Sequence, residues 1–102
     1  MITAPDQLAA LTISRDAAAA RLTVRTDPNF DFIYYMSGSL QRKLRNVPDL
    51  SHLVMELKDA TDEYLCAAQG DYMAHDGAFK EAHNKELERL DRILGKIVRS
   101  AS

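Results

Sequence analysis

Residues 50–68 of the chain, LSHLVMELKDATDEYLCAA, carry the clearest structural pattern in the sequence. Apolar and small side chains recur there every three or four residues, which places them on one face of an α-helix. The members of this repeat are Leu50, Leu53, Val54, Leu57, Ala60, Thr61, Tyr64, Leu65 and Ala68. Val47-Pro48-Asp49 precedes the repeat, and proline restricts the residue before it to extended conformations. The stretch therefore predicts a helix with one buried face.

A second apolar repeat lies just before this helix. Its members are Ile33, Met36, Leu40, Leu44 and Val47, at spacings of 3, 4, 4 and 3. Asp27 is a candidate N-cap and Pro28 suits the first helical position, so we expect this helix to begin at about Pro28. The small residues Ser37-Gly38-Ser39 predict either close packing of a neighbouring helix or a kink. Close packing is the favoured interpretation.

A third repeat follows and reaches almost to the end of the chain. It consists of Phe79, His83, Leu87, Leu90, Leu94 and Ile97. Turn-forming residues between Gly70 and Gly77 predict that the last two helices form an antiparallel hairpin, the second running to about Arg99. The alternative is one long C-terminal helix, because the two stripes nearly share a register. The last stripe is also long and narrow enough for a coiled-coil seam, which predicts a homodimer.

The N-terminal segment is more ambiguous. Thr3 is a candidate helix cap and Pro5 suits a first turn, so a helix is expected to start near Pro5. Residues 11–13 and 22–24 alternate as short strands would, whereas the alanines at 17–20 favour a helix. Helix is the favoured interpretation here too.

Composition supports the same class. The 102 residues suffice for one core, and Ala and Leu dominate while Trp is absent. We therefore predict an all-α protein with a single domain over residues 1–102. The architecture is a small bundle of three to four helices, with residues 1–27 forming either an N-terminal arm or a helix.

Charge and cysteine content restrict the possible partners and compartments. Thirteen basic and fifteen acidic residues give a net charge of -2, which provides no general attraction for nucleic acid or anionic lipid. A lone cysteine, Cys66, and an N-terminus without a secretory pattern predict a cytoplasmic location. No run approaches the roughly 20 apolar residues that cross a bilayer, so we expect no membrane insertion.

Tyrosines and a basic cluster are the candidate binding residues. Tyr34, Tyr35 and Tyr72 offer contact area and a hydrogen-bonding tip at low entropic cost, although half-buried core positions are an equal alternative. The cluster consists of Arg42, Lys43 and Arg45, which could contact phosphates together with Arg21 and Arg25. The favoured explanation of the cluster is that its positive charges stabilise the dipole at the C-terminal end of the second helix.

No residue pattern indicates chemistry. Asp71 with His75 and His83 with Glu86 have helical spacing, but neither pair completes a ligand set. Cys66 is expected to be a small buried apolar residue, and the glycines form no phosphate-binding loop. We therefore expect no catalytic residue, no metal and no cofactor.

The leading hypothesis is a non-enzymatic regulator, adaptor or inhibitor that binds another protein and forms a homodimer. The alternative is a nucleic-acid-binding regulator that uses the basic cluster. The sequence names neither partner.

Overall fold

The computed structural model describes residues 6–74 and 83–102, with the side chains of residues 70–74 excepted. These ranges contain four α-helices and no strand, which confirms the all-α prediction. The helices are α1 (Gln7–Thr26), α2 (Phe30–Arg45), α3 (Leu53–Ala74) and α4 (Asn84–Ser100), with a short 3-10 turn (Pro48–Leu50) before α3.

The four helices form an antiparallel bundle in which each helix packs against two neighbours. The packed pairs are α1 with α2, α2 with α3, α3 with α4, and α4 with α1. Glu56 binds Lys96 and Glu63 binds Arg89, so seven residues forward along α3 correspond to seven residues back along α4. The predicted antiparallel hairpin is therefore confirmed, and the chain follows an up-down-up-down course.

Each helix contributes one apolar face to the core. The largest fully buried side chains are Ile13, Ile33, Leu40, Leu44, Leu50, Leu53, Leu57, Leu90, Leu94 and Ile97. The α4 stripe that was expected to form a dimer seam belongs to this core, since Leu90, Leu94 and Ile97 are 0% exposed. That assignment was wrong because the stripe packs inside its own bundle. A homodimer needs another surface.

The start of α2 differs from the prediction. Asp27 is not its N-cap: the Asp27 backbone N–H bonds to the Thr23 carbonyl at 2.8 Å and ends α1. Asn29 has an extended backbone and accepts the Phe32 N–H at 2.8 Å through Oδ1. The N-cap therefore lies two residues later than predicted, because Asn29 accepts the backbone N–H in the first turn of α2, whereas Asp27 is the C-cap of α1.

The N-terminal segment is one unbroken helix from Gln7, so the helical interpretation of residues 11–24 is confirmed. Thr3 and Pro5 lie outside the described residues. At the other end of the chain, α3 continues through Gly70 to Ala74. His83, immediately before α4, has a left-handed backbone with φ 54° and ψ 41°. The alternative of one long C-terminal helix is therefore wrong, although Gly77 lies outside the described residues.

Candidate protein-binding surface

Two predicted binding residues, Tyr34 and Tyr35, lie side by side on the outer face of α2. Their side chains are 56% and 72% exposed, so neither is a core residue. Their ring centroids are 5.2 Å apart and the ring planes meet at 86°, an edge-to-face arrangement that aromatic pairs favour. Gly38 and Arg42 continue this face toward the C-terminus of α2. We call these four residues the tyrosine surface.

The periodicity of α2 places the tyrosine surface opposite the core. Ile33, Leu40 and Leu44 are at most 1% exposed and point inward. Successive residues of an α-helix differ in direction by about 100°, so Tyr34 and Tyr35 cannot share that direction with Ile33. Burial of one face thus fixes exposure of the other.

A buried chain of hydrogen bonds supports this part of α2. Gln41 Nε2 donates to Ser37 Oγ at 3.0 Å, and Ser37 Oγ lies 2.7 Å from Thr61 Oγ1. Thr61 donates its own hydroxyl to the Leu57 carbonyl at 2.7 Å, so Ser37 is the donor to Thr61. Ser37 and Thr61 are 1% and 3% exposed. Because each of these polar side chains has a hydrogen-bond partner, the hydrogen bonds hold α2 against α3 without leaving an unsatisfied polar group.

Helix α2 is continuous through the small residues at 37–39, and Ser37 among them is buried against Thr61 of α3. Gly38 faces outward, and a Cβ added there would meet only the Arg42 guanidinium within ordinary contact distance, at 3.6 Å. Gly38 therefore leaves a shallow depression beside the two tyrosines.

A groove of about 350 Å³ runs between α2 and α3 at this depression. The tyrosine surface forms one wall, and Thr61, Asp62 and Leu65 of α3 lie on the other. Asp62 forms an ion pair with Lys58, one turn earlier on α3, with 2.7 Å between Lys58 Nζ and Asp62 Oδ2. The groove combines aromatic and aliphatic surface with a cation, Arg42, at its edge.

The basic cluster lies in the last turn of α2, as expected for residues that stabilise a helix C-terminus. Its three side chains have different surroundings in the structure. Lys43 makes an ion pair with Asp16 of α1, whereas the Arg42 and Arg45 side chains are exposed. Tyr72 lies on α3 about three turns beyond Thr61, and its side chain is outside the described part.

Arg21 and Arg25 do not join the basic cluster but bind a carboxylate on α4. The Nε atom of each arginine lies 2.9 Å from Asp91 Oδ1, and a second contact reaches Oδ2 from each guanidinium. Burial disfavours the ionised carboxyl group, but hydrogen bonds and charge from Arg25 and Arg21 outweigh burial and lower the pKa of Asp91. We call these three residues the Asp91 cluster.

A glycine makes room for this cluster. A Cβ added to the buried Gly95 would lie 2.9 Å from the Arg21 guanidinium carbon, so a side chain there would displace Arg21. A cavity of about 590 Å³ adjoins the cluster, with Tyr64, His83 and Leu87 among its lining residues. Burial raises the pKa of Tyr64, and the His83 ring meets the Tyr64 ring edge-on at 6.3 Å.

Candidate chemical groups are scattered. In residues 6–74 and 83–102, no three side chains of the metal-binding types come together. His75 and the Asp71 side chain lie outside the described part. Cys66 is exposed, so its expected burial was wrong: it follows Leu65 on the outward side of α3.

Comparisons with known proteins add no family to this description, because no family model, curated protein or solved structure matches the chain. None of the described helices is both long and apolar enough to cross a membrane. The class that the fold defines is an antiparallel four-helix bundle. Its function has to be argued from its surfaces.

Proposed function

We propose that this protein is a non-enzymatic helical binding module, a regulator, adaptor or inhibitor, that holds a protein partner on the tyrosine surface. The observation that carries the proposal is the pair of tyrosines, 56% and 72% exposed, on a helix held in place by buried hydrogen bonds. Tyrosine and arginine are enriched where binding energy concentrates in protein interfaces. A rigid support lowers the entropy lost when such residues bind.

The groove defines the kind of partner segment that fits. An apolar side chain of the partner can enter the depression at Gly38, between the tyrosine rings and Leu65. Arg42 at the edge can bind a carboxylate with two parallel hydrogen bonds. The expected partner segment therefore carries an apolar anchor with an acidic residue beside it.

Nucleic-acid binding is less well supported by the same geometry. Lys43, Arg21 and Arg25 already contact two carboxylates, so the three cations together leave a net charge of only +1 for a phosphate-binding surface. Asp31 is also exposed on the outer face of α2, at its N-terminal end. Arg42 and Arg45 alone are a small patch for that purpose.

The test starts by identifying the partner. A photo-crosslinking amino acid at position 35 of the full chain should trap a protein in the native host. The same amino acid at Glu88, exposed on α4, serves as the control and should not trap that protein. Mass spectrometry then identifies the trapped chain.

Binding of the purified partner is measured next. Tyr34→Ala with Tyr35→Ala should weaken binding at least ~10-fold, because two contact residues at the centre of an interface are removed. Met55→Ala, which truncates a 60% exposed apolar residue of α3, should leave affinity unchanged. Equal affinities of the wild-type protein and the tyrosine variant would contradict the proposal. Binding of an oligonucleotide at ~50 mM salt that Arg42→Ala with Arg45→Ala abolishes would favour the nucleic-acid alternative.

A further inference from the structure

The outer face of α2 has opposite charges at its two ends. Asp31 lies in the first turn of the helix, whereas Arg42 and Arg45 lie in the last turn, and all three side chains are exposed. Among the side chains that the structure describes, none forms an ion pair with Asp31, Arg42 or Arg45. Both charged ends are therefore open to a partner.

Tyr35 and Gly38 lie between these charged ends on the same line. Positions 31, 35, 38, 42 and 45 are separated by 4, 3, 4 and 3 residues, the interval of a heptad repeat. In order along α2, they carry a negative charge, an exposed ring, the depression at the glycine and two positive charges. We call these five residues the outer stripe.

The outer stripe is complementary to itself when two copies of α2 lie antiparallel. A register that places Tyr35 opposite Gly38 of the partner subunit also places Asp31 opposite Arg42 of the partner subunit. Both pairs have the same midpoint, between residues 36 and 37, so one twofold axis there generates all the contacts. The axis repeats each contact, which gives two rings in two depressions and two ion pairs. Such a contact is isologous and closes at two subunits.

No like charges of the outer stripe meet in this register. Arg45 lies opposite Pro28 of the partner subunit and one helical turn from Asp31 of the partner subunit, so it adds attraction. Tyr34 lies opposite Ser39 of the partner subunit, which is small and polar. Opposite charges at matched positions favour this pairing over a parallel one, in which Asp31 would face its own copy.

A second copy also supplies the kind of segment that the groove at Gly38 takes. That segment has an apolar anchor with an acidic residue beside it, and Tyr35 with Asp31 one helical turn earlier is such a pair. The Arg42 guanidinium lies 3.6 Å from the position of a Cβ added to Gly38, so it borders the depression. An inserted tyrosine ring therefore contacts a guanidinium that also binds a carboxylate, and arginine interacts favourably with both groups.

We propose that two copies of this protein associate through an antiparallel pair of α2 helices, so that the tyrosine surface binds a second copy of the chain. The inference rests on the proposed function, because it names the partner of the same surface. The 16 residues of α2 extend about 24 Å, and a contact of that length is the size of a transient interface. Charge and shape complementarity determine its specificity, and the expected dissociation constant is about 10–500 µM.

Charge reversal tests the association and its register together. In sedimentation equilibrium of the full chain between ~10 µM and ~1 mM, wild-type protein should convert from monomer to dimer. Asp31→Arg should weaken the dimer at least ~10-fold, because it places two arginines at each ion pair, although two added positive units bring the net charge of -2 to zero. Asp31→Arg with Arg42→Asp exchanges the two charges, keeps the net charge of wild type and should restore the dimer. Glu88→Arg, the same charge change at an exposed position of α4, is the matched control and should dimerise like wild type.

Gly38→Ala tests the fit of the ring without changing charge. The added Cβ occupies part of the depression, so the dimer should weaken, although alanine favours the helix and the monomer should be no less stable. Circular dichroism melts should show that this variant and the charge variants are folded. A loss of dimer with retained or increased stability does not come from misfolding.

Three outcomes overturn the inference: a wild-type monomer up to ~1 mM, a dimer that Asp31→Arg does not weaken, or an exchanged variant that stays as weak as Asp31→Arg. If the chain is monomeric and the crosslinker at position 35 traps a different protein, this inference fails while the proposed function stands. If the chain is monomeric and the crosslinker traps no protein, both fail. Trapping of a second copy supports both.

Discussion

Helices α1 and α4 pack against each other, yet they have opposite surface character. The buried side of α1 is built mostly from small residues, with Ala10, Ala17 and Ala20 among its core positions. The buried side of α4 carries the large Leu90 and Leu94. Outside, α1 exposes leucines, whereas α4 exposes charged residues: Lys85, Glu88, Arg92 and Arg99.

This difference distinguishes apolar residues that the bundle core needs from apolar residues that it leaves exposed. The apolar residues of α4 are accounted for by the core, so their pattern needs no further explanation. In α1, small inner residues let the helix approach its neighbours closely, and the large apolar residues that remain face outward. The bundle does not explain that second face, and contiguous exposed apolar surface commonly marks an interaction site.

The largest effect that tests this comparison is on the free energy of unfolding. Leu94→Ala should destabilise the protein by about 2–5 kcal/mol, because it removes a fully buried side chain and leaves a cavity. Leu22→Ala removes the same atoms from a 64% exposed position and should change stability by less than about 0.5 kcal/mol.

Urea unfolding of both variants at the same low protein concentration provides the measurement. Similar losses in the two variants would mean that Leu22 is buried in the folded monomer. In that case α1 and α4 would not differ in the exposure of their leucines.

An intermediate effect is expected where α1 and α4 meet at the Asp91 cluster. Asp91→Asn should destabilise the protein by about 1–2 kcal/mol, because two arginines lose a shared carboxylate that is only 18% exposed. Asp62→Asn, in an exposed ion pair with Lys58, is the control and should change stability by less than about 0.5 kcal/mol.

The same cluster should make stability depend on acid pH. The pKa of Asp91 is lower in the folded protein than its ordinary value of 3.8, so folding favours the ionised group. Its contribution is complete above that ordinary value and is lost as pH falls through the lower, folded value. Wild type and Asp91→Asn should therefore converge in stability in strong acid. A constant difference down to the lowest pH would show that charge does not hold the cluster together.

Much of the fold follows from the sequence because apolar periodicity is a local property. The repeats through Leu40, Leu57 and Leu94 predict α2, α3 and α4, and the alanines at 17–20 correctly favour helix for α1. The N-cap of α2 was misplaced because Asp27 and Asn29 are both suitable residues. Only the backbone geometry distinguishes them.

The surfaces were less predictable because they depend on which helices become neighbours. Periodicity alone could have placed Tyr34 and Tyr35 opposite the buried residues of α2. It could not reveal that Lys43 meets Asp16, or that Arg21 meets Asp91 70 positions away. The one signal for the Asp91 cluster was Gly95, a glycine beside the apolar stripe of α4. The α4 seam was misassigned because a stripe does not say whether its partner is in the same chain.

The smallest expected effect compares Gly38 of α2 with Gly95 of α4. Gly38→Ala should stabilise the protein by about 0.5–1 kcal/mol, because alanine favours helix and its Cβ meets the Arg42 guanidinium only at ordinary distance. Gly95→Ala brings the same helical gain but pushes Arg21 away from Asp91, so its net effect should be within about 0.5 kcal/mol of zero. Thermal unfolding at neutral and acid pH separates the two contributions: Gly95→Ala should lose part of the pH dependence, whereas Gly38→Ala should retain it. Equal stabilisation by both substitutions would mean that Arg21 keeps its hydrogen bond to Asp91 from another position, and the space at Gly95 would not be what joins α1 to α4 at this point.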